Sequence, residues 1–261
     1  MSGPTRLRLS ANLGFLYADL PLAEAIQRAA RAGFDAVECH WPYDEPIADV
    51  RAALGETGLA MVSMNARKGP NRDDFGLAAL PGREAEARTG IEEAIAYGAA
   101  IGAKRVHVLA GRIEANDVSR ACFVETLRFA AQRASRRDMA ILIEPMNRRD
   151  APGYFLSTIE QAAEIVTQVG EPNCRILFDC YHVQINQGDL LRRFEAHRDL
   201  IGHVQFAGVP ERGAPDLGEL AYERLLPAIR DLGYEGAFGA EYRPGGPTED
   251  SLSWMKAFGR S

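Results

Sequence analysis

A single-domain, closed (β/α)8 barrel over residues 1–261 is the fold this sequence predicts, and three observations predict it. The length of 261 residues is close to the roughly 250 typical of such barrels. Short β-rich runs alternate with stretches of helical apolar spacing, the pattern of parallel strands joined by helices. Eight such runs occur, the number that closes a sheet on itself rather than leaving it open. No low-complexity linker or sharp change in composition divides the chain.

Strands are expected at residues 7–13, 36–41, 60–65, 105–110, 140–145, 175–181, 202–207 and 237–242. Between them, Leu22, Ile26, Ala29 and Ala30, or Phe123, Leu127, Ala130 and Ala134, recur at helical intervals. Gly33, Gly58, Gly170 and Gly233 stand where helices should end, because glycine takes the left-handed cap without a Cβ penalty. Ser157-Thr-Ile-Glu160 has the form of a capping box. Thr248 precedes an amphipathic stretch that predicts a last helix, and Pro227 is expected to kink the seventh helix. The connection 67–83, rich in Gly, Pro, Asn and Asp, is too long for an ordinary turn and reads as a lid or a disordered excursion.

Composition narrows the classes of function. A net charge of −6 speaks against a nucleic-acid partner, which needs a basic face; the Arg-Arg pairs at 136–137 and 192–193 read as solvated helix faces. There is no apolar run of the ~20 residues that span a bilayer, and the start Met-Ser-Gly-Pro-Thr-Arg has no apolar leader core. Cys39, Cys122, Cys174 and Cys180 form no CxxC pair, as expected of buried thiols in a reducing cytoplasm. Cys180, next to Asp179 on a strand, should face away from the barrel interior. A cytoplasmic protein with no membrane partner is expected, and a homo-oligomer is left open.

The chemistry is read at four strand ends. The fifth strand runs Ala-Ile-Leu-Ile-Glu144, the sixth Arg-Ile-Leu-Phe-Asp179, the seventh Gly-His203-Val-Gln205 and the eighth Ala-Phe-Gly-Ala-Glu241. These polar residues recur at intervals of roughly thirty residues, the length of a βα repeat. Side chains two apart share a face. Leu142, Leu177, His203 and Gly239 therefore point inward with them, while Ile143, Phe178, Val204, Phe238 and Ala240 face the helices. Strand C-termini are where such barrels build active sites. Three carboxylates converging there repel one another, and a divalent cation relieves the conflict. Oxygen-only donors favour Mg²⁺ or Mn²⁺ over zinc. The alternative is that these groups cap strand ends or pair with arginines.

Further stretches carry a family resemblance. They are Ser10-Ala-Asn-Leu13, Ala32-Gly-Phe-Asp-Ala-Val-Glu38, Pro42-Tyr43-Asp44, Leu80-Pro-Gly-Arg-Glu84, Ile143-Glu-Pro-Met-Asn147, Pro152-Gly-Tyr-Phe-Leu156, Phe178-Asp-Cys-Tyr-His182, Ile201-Gly-His-Val-Gln205 and Glu241-Tyr. On these the chain resembles the hydroxypyruvate isomerase family of the xylose isomerase-like TIM barrels, a group that includes 2-oxo-tetronate isomerases. The resemblance implies Glu144 and Glu241 as the catalytic proton donor and acceptor, and a metal held by Glu144, Asp179, Gln205 and Glu241. It implies a small hydroxy-oxo acid as substrate, first hydroxypyruvate going to 2-hydroxy-3-oxopropanoate through an enediolate, with a four-carbon 2-oxo-tetronate as the alternative.

Sugar 3-epimerases and inosose dehydratases are a further alternative, but many sugar epimerases carry His where this chain has Gln205. A DNA-repair endonuclease of the superfamily needs clustered zinc-binding histidines and a basic groove, against five scattered His here. A non-catalytic binding protein is the last rival.

Substrate contacts are expected from His182, which resembles the family's substrate-contacting histidine, and from Arg212, whose planar guanidinium suits a carboxylate. Glu38 either meets substrate or orients a neighbour, and Arg67 and Lys68 could close over the site from the long loop. His40 shares the face of Glu38. His107 and His203 are expected deeper, as hydrogen-bonded core histidines.

Overall fold

The computed structural model describes residues 6–260; residues 1–5, which carry most of the polar start noted above, lie outside it. Eight parallel strands close into a barrel in chain order, β1 pairing with both β2 and β8. They are β1 Leu9–Asn12, β2 Ala36–Cys39, β3 Ala60–Asn65, β4 Arg105–His107, β5 Ala140–Ile143, β6 Cys174–Asp179, β7 Ile201–Phe206 and β8 Phe238–Ala240. Each falls on its expected run, β6 and β7 beginning one residue early. The helices are α1 Leu22–Arg31, α2 Ile47–Thr57, α3 Glu84–Ile101, α4 Asp117–Ser135, α5 Ile159–Val169, α6 Cys180–Asn186, α7 Leu190–His197 and α8 Tyr222–Asp231. No helix among the described residues is long and apolar enough to cross a membrane.

The outward faces of the strands meet aromatic side chains of the helices and loops. Phe178 packs edge-on against Phe194 of α7, and Phe206 packs against Tyr222 of α8. Gly58 and Gly170 cap α2 and α5 with φ of 70° and 72°, the left-handed conformation their sequence positions predict.

Several local expectations need correction. The cap of α5 is shifted by one residue. Thr158 accepts from the N–H of Gln161 at 3.2 Å, and Gln161 reaches back to the N–H of Ser157 at 3.0 Å, leaving Glu160 to Gln187 and Arg193. Cys180 is not on a strand: Asp179 accepts from the N–H of Tyr181 at 2.8 Å and turns β6 directly into α6. The chain end forms two 3-10 turns, Thr248–Ser251 and Ser253–Phe258, in place of an α-helix. Thr248 Oγ1 there accepts from the N–H of Tyr17 at 2.9 Å. Pro227 lies inside helix α8, as its place in the sequence predicts. The 67–83 connection is folded against the mouth: the Gly76 N–H donates to Lys68 O at 2.7 Å, and Asp74 pairs with Arg83 at 2.6 Å. Gly76, at φ 99°, is required there, since a Cβ would lie 2.5 Å from Leu109 O.

The opposite end of the barrel is latched by Asp35 and the buried Arg260. Arg260 donates to Asp35 and, at 2.7 Å, to Leu7 O, while Asp35 accepts from the N–H of Leu9 at 2.8 Å. Burial alone would raise the Asp35 pKa, but the Arg260 hydrogen bond and the Leu9 N–H bring it below its ordinary value. A depressed carboxyl stabilises the fold above its unfolded pKa of about 3.9, and loses that contribution as pH falls through its folded value. Asp35→Asn should therefore cost ~1–3 kcal/mol in urea unfolding at pH 7, and the gap to wild type should narrow as acid protonates Asp35. An equal gap at pH 7 and pH 3 would show that the latch does not act through its charge.

Candidate active site

The register of β6, β7 and β8 aligns Asp179 with Gln205 and Gln205 with Gly239. Glu144 and Glu241 follow β5 and β8 directly. All four polar side chains are buried, at the depth and on the face that strand alternation predicts. Glu144, Gln205 and Glu241, with Glu38, Asn12, His40, His107, His182 and Arg212, line a cleft of about 250 Å³; Asp179 lies behind this lining, 3.6 Å from His182 and 3.7 Å from Arg212.

The carboxyl groups differ in their partners. Glu241 Oε1 accepts from Asn12 Nδ2 and meets His40 Nε2, each at 2.9 Å, and Oε2 accepts from Arg212 at 2.5 Å. Burial would push Glu241 up, but Arg212 and His40 overrule it and hold its pKa at about 2. Glu144 Oε1 has no such partner among the described residues. Burial, and then the charges of Glu241 and Asp179, push Glu144 well above the carboxylate range. Asp179 is raised to about 7, by burial and by Glu241, against the opposing pull of Arg212. The two glutamates thus stand in one cleft with opposite proton affinities.

Of the carboxyl and amide groups at the site, three buried oxygens have no hydrogen-bond partner among the described residues: Glu144 Oε1, Asp179 Oδ2 and Gln205 Oε1. Buried polar atoms without partners are uncommon and call for a ligand or an ion. Ligand-capable atoms of Glu144, Asp179 and His182 lie within 4.8 Å of one another. His182 enters that cluster as a donor, however. Its Nδ1 faces the backbone N–H of Asn147 at 3.0 Å and Asn147 Nδ2 at 2.8 Å, so Nδ1 accepts. Burial and the neighbouring Arg212 lower its pKa to about 3, leaving the ring neutral. A neutral imidazole has one N–H, which here must be Nε2–H, 3.6 Å from Asp179 and 3.8 Å from Glu144. The donor set that fits a cation is therefore oxygen-only.

The other expected residues take distinct places. The Arg212 guanidinium lies between the Phe15 and Tyr181 rings, 4.9 and 5.1 Å from their centroids. The Gly208 N–H bonds Gly213 O at 2.8 Å, closing the loop that holds Arg212 at φ 56°. Lys68 Nζ stands 5.2 Å over Trp41 at the rim. Both Glu38 oxygens are engaged, Oε1 by Gln205 and Oε2 by His203. His203 is a bonded core histidine as expected. His107 is not: it lines the cleft, its Nε2 has no partner among the described residues, and burial lowers its pKa to about 4.

Sequence reasoning missed the roles of Asn12 and His40. The one available signal was that His40 stands two residues after Glu38 and so shares its face. Gly14 lets the His40 ring lie close, since a Cβ there would be 2.1 Å from Nδ1.

Comparison with known proteins gives a consistent picture. Residues 26–258 match the family model described as xylose isomerase-like TIM barrel. The chain is 43% identical to a 2-oxo-tetronate isomerase of Cupriavidus necator, over 96% of this chain and 98% of that one. It is 37% identical to the hydroxypyruvate isomerase of Escherichia coli, over 97% and 99%. The crystal structure of a protein named AP endonuclease, family 2, from Brucella melitensis superposes with a TM-score of 0.93 at 36% identity, covering 98% and 100% of the two chains.

The hydrogen-bond pattern predicts the state of His182. Nitrogen NMR of imidazole-labelled, metal-free protein should show Nε2 protonated, Nδ1 bare and no titration between pH 5 and 8. A midpoint near the ordinary histidine value of about 6.5 would overturn this assignment.

Proposed function

The chain belongs to the xylose isomerase-like TIM barrel family, and we propose that it isomerises a small hydroxy-oxo acid, converting hydroxypyruvate to 2-hydroxy-3-oxopropanoate. The observation that carries this reading is the pair Glu144 and Glu241, buried in one confined cleft, with Glu241 bonded to Arg212, His40 and Asn12 and Glu144 Oε1 without a partner among the described residues. Isomerisation removes a proton from the hydroxyl-bearing carbon and returns one to the neighbouring carbonyl carbon, through an enediolate. It needs one carboxyl that is ionised and one that can carry a proton at neutral pH.

Glu241 is the ionised group, but a carboxylate held this low is a weak base. The substrate supplies the remedy. Its own carboxylate competes for the Arg212 guanidinium, and a planar guanidinium binds a carboxylate well. As Arg212 turns to the substrate, Glu241 loses the contact that depresses it, and burial raises its proton affinity. Glu144, on the other side of the pair, serves the other carbon, giving up or taking the proton there. His182 offers Nε2–H to a substrate oxygen and, being neutral, adds no charge. Glu144, Asp179, Gln205 and Glu241 would hold a divalent metal, Mg²⁺ or Mn²⁺ by their oxygen-only donors, and such an ion stabilises the enediolate oxygens.

A four-carbon 2-oxo-tetronate is the second reading, favoured by the 43% identity to the C. necator isomerase. The same proton transfer serves it, and relative kcat/KM on three- and four-carbon acids separates the two. A DNA endonuclease reading, raised by the name of the B. melitensis protein, has little support from a carboxylate-lined cleft in a chain of net charge −6.

Glu144→Gln and Glu241→Gln should each lower turnover at least ~10²-fold, with thermal unfolding close to wild type. Product formed in deuterated water should carry deuterium at the newly protonated carbon. Chelation should remove activity and Mg²⁺ or Mn²⁺ restore it. Wild-type turnover in either variant would remove that residue from the mechanism.

A further inference from the structure

A carboxamide at a metal site must be told which end to present. Its oxygen can bind a cation and its NH₂ cannot, yet the two ends have the same shape. Gln205 lies at that choice, with its side chain buried between the cleft and the barrel interior. Gln205 Nε2 donates to Glu38 Oε1 at 2.9 Å, and Gln205 Oε1 has no partner among the described residues. We propose that Glu38 is a positioning residue that locks the Gln205 amide with its oxygen toward the cleft, and so completes the oxygen-only set for a divalent cation. The inference rests on the metal reading of the previous subsection.

Glu38 is itself held from the other side. Its Oε2 meets His203 Nε2 at 2.5 Å, and His203 Nδ1 lies 3.3 Å from the Tyr234 hydroxyl. That hydroxyl donates to Ala237 O at 2.9 Å, so toward His203 Nδ1 it offers a lone pair. Wherever the proton between Glu38 and His203 resides, Glu38 Oε1 keeps a lone pair for Gln205. Tyr234 and His203 thus hold Glu38 in place from backbone groups of the β8 approach, with Oε1 left to accept from Gln205.

A second observation is independent of these hydrogen bonds. Glu38 is on β2 and Gln205 on β7, and the barrel order sets β1 and β8 between them. On β8 the intervening inward position is Gly239. A Cβ there would lie 2.3 Å from Glu38 Oε1 and 2.9 Å from Gln205 Cγ. The missing side chain is the space through which the two residues meet.

The test uses Mn²⁺ as the probe, titrated into metal-free protein and followed by the electron paramagnetic resonance signal of the free ion, with thermal melts as a check on folding. Glu38→Met is close in size and removes the acceptor. Gln205→Glu removes the need for orientation, since a carboxylate presents an oxygen either way round, and the double variant keeps the wild-type charge. Glu38→Met should weaken Mn²⁺ binding ~10-fold or more, and adding Gln205→Glu should bring affinity back to within about threefold of wild type. The gain from Gln205→Glu should be larger in that background than in wild type.

Wild-type affinity in folded Glu38→Met, or no recovery in the double variant, overturns the inference and leaves the metal reading standing. A wild-type protein that binds no Mn²⁺ overturns both. A further measurement needs no change at residue 38. The Gln205 side-chain amide, assigned in nitrogen-labelled protein by its loss in Gln205→Glu, should resist solvent exchange. Rapid exchange would mean that the NH₂ faces the cleft.

Discussion

Glu38, Glu144, Asp179 and Glu241 are buried together at one end of the barrel, and an ion taken out of water without compensation costs several kcal/mol. The protein compensates each one differently, and the differences give the site its chemistry. Glu38 is matched to His203 and serves as an acceptor inside the barrel. Glu241 is matched to Arg212, His40 and Asn12 and stays ionised. Asp179 receives a backbone N–H at the start of α6 and a more distant Arg212, 3.7 Å away. Glu144 receives no hydrogen bond from the described residues to its Oε1, and its proton affinity rises. Equal side chains become unequal acids because their neighbours differ.

The scaffold makes this arrangement by subtraction as much as by addition. A closed parallel barrel brings the inward side chains of all eight strands toward one axis, where large residues on every strand could not fit. Gly239 gives up its side chain so that residues from β2 and β7 can touch. Gly14 does the same for the ring of His40. The turn after β7 lets Arg212 come back over the cleft between two aromatic faces. Rigid strands thus position the acids, and a folded loop brings the cation.

Much of this can be read in the sequence, for a definable reason. Period-two alternation and the βα repeat are local, so Glu144, Asp179, Gln205 and Glu241 can be placed on one face without knowing any contact. The strand runs agree with the observed starts to within two residues for the same reason. What escapes is pairwise and non-local. That Asn12 bonds Glu241, 229 positions away, has no trace in either segment. The α5 cap is ambiguous because Glu160 and Gln161 both suit the motif, and only the tertiary partners Gln187 and Arg193 draw Glu160 away. The final helix fails similarly, since Thr248 is committed to the N–H of Tyr17. A bonded His107 is the natural expectation because buried polar groups usually have partners, and a functional cleft is where that rule relaxes.

On the proposed reading, one guanidinium links recognition to reactivity. Arg212 is buried against Glu241 and flanked by Asp179, so it cannot serve an incoming carboxylate without loosening its hold on Glu241. A neutral sugar of similar size offers no anion to take Arg212, and leaves Glu241 depressed and unreactive. An acid both binds and releases the base. Selectivity for acids then arises in the proton transfer as well as in binding, which is where an enzyme gains most from an interaction that differs between ground state and transition state. The oxygen-only donor set belongs to the same logic. It adds no titrating imidazole to the cation site, so the positive charge that the substrate meets is set by Arg212 and by whatever ion the oxygens hold.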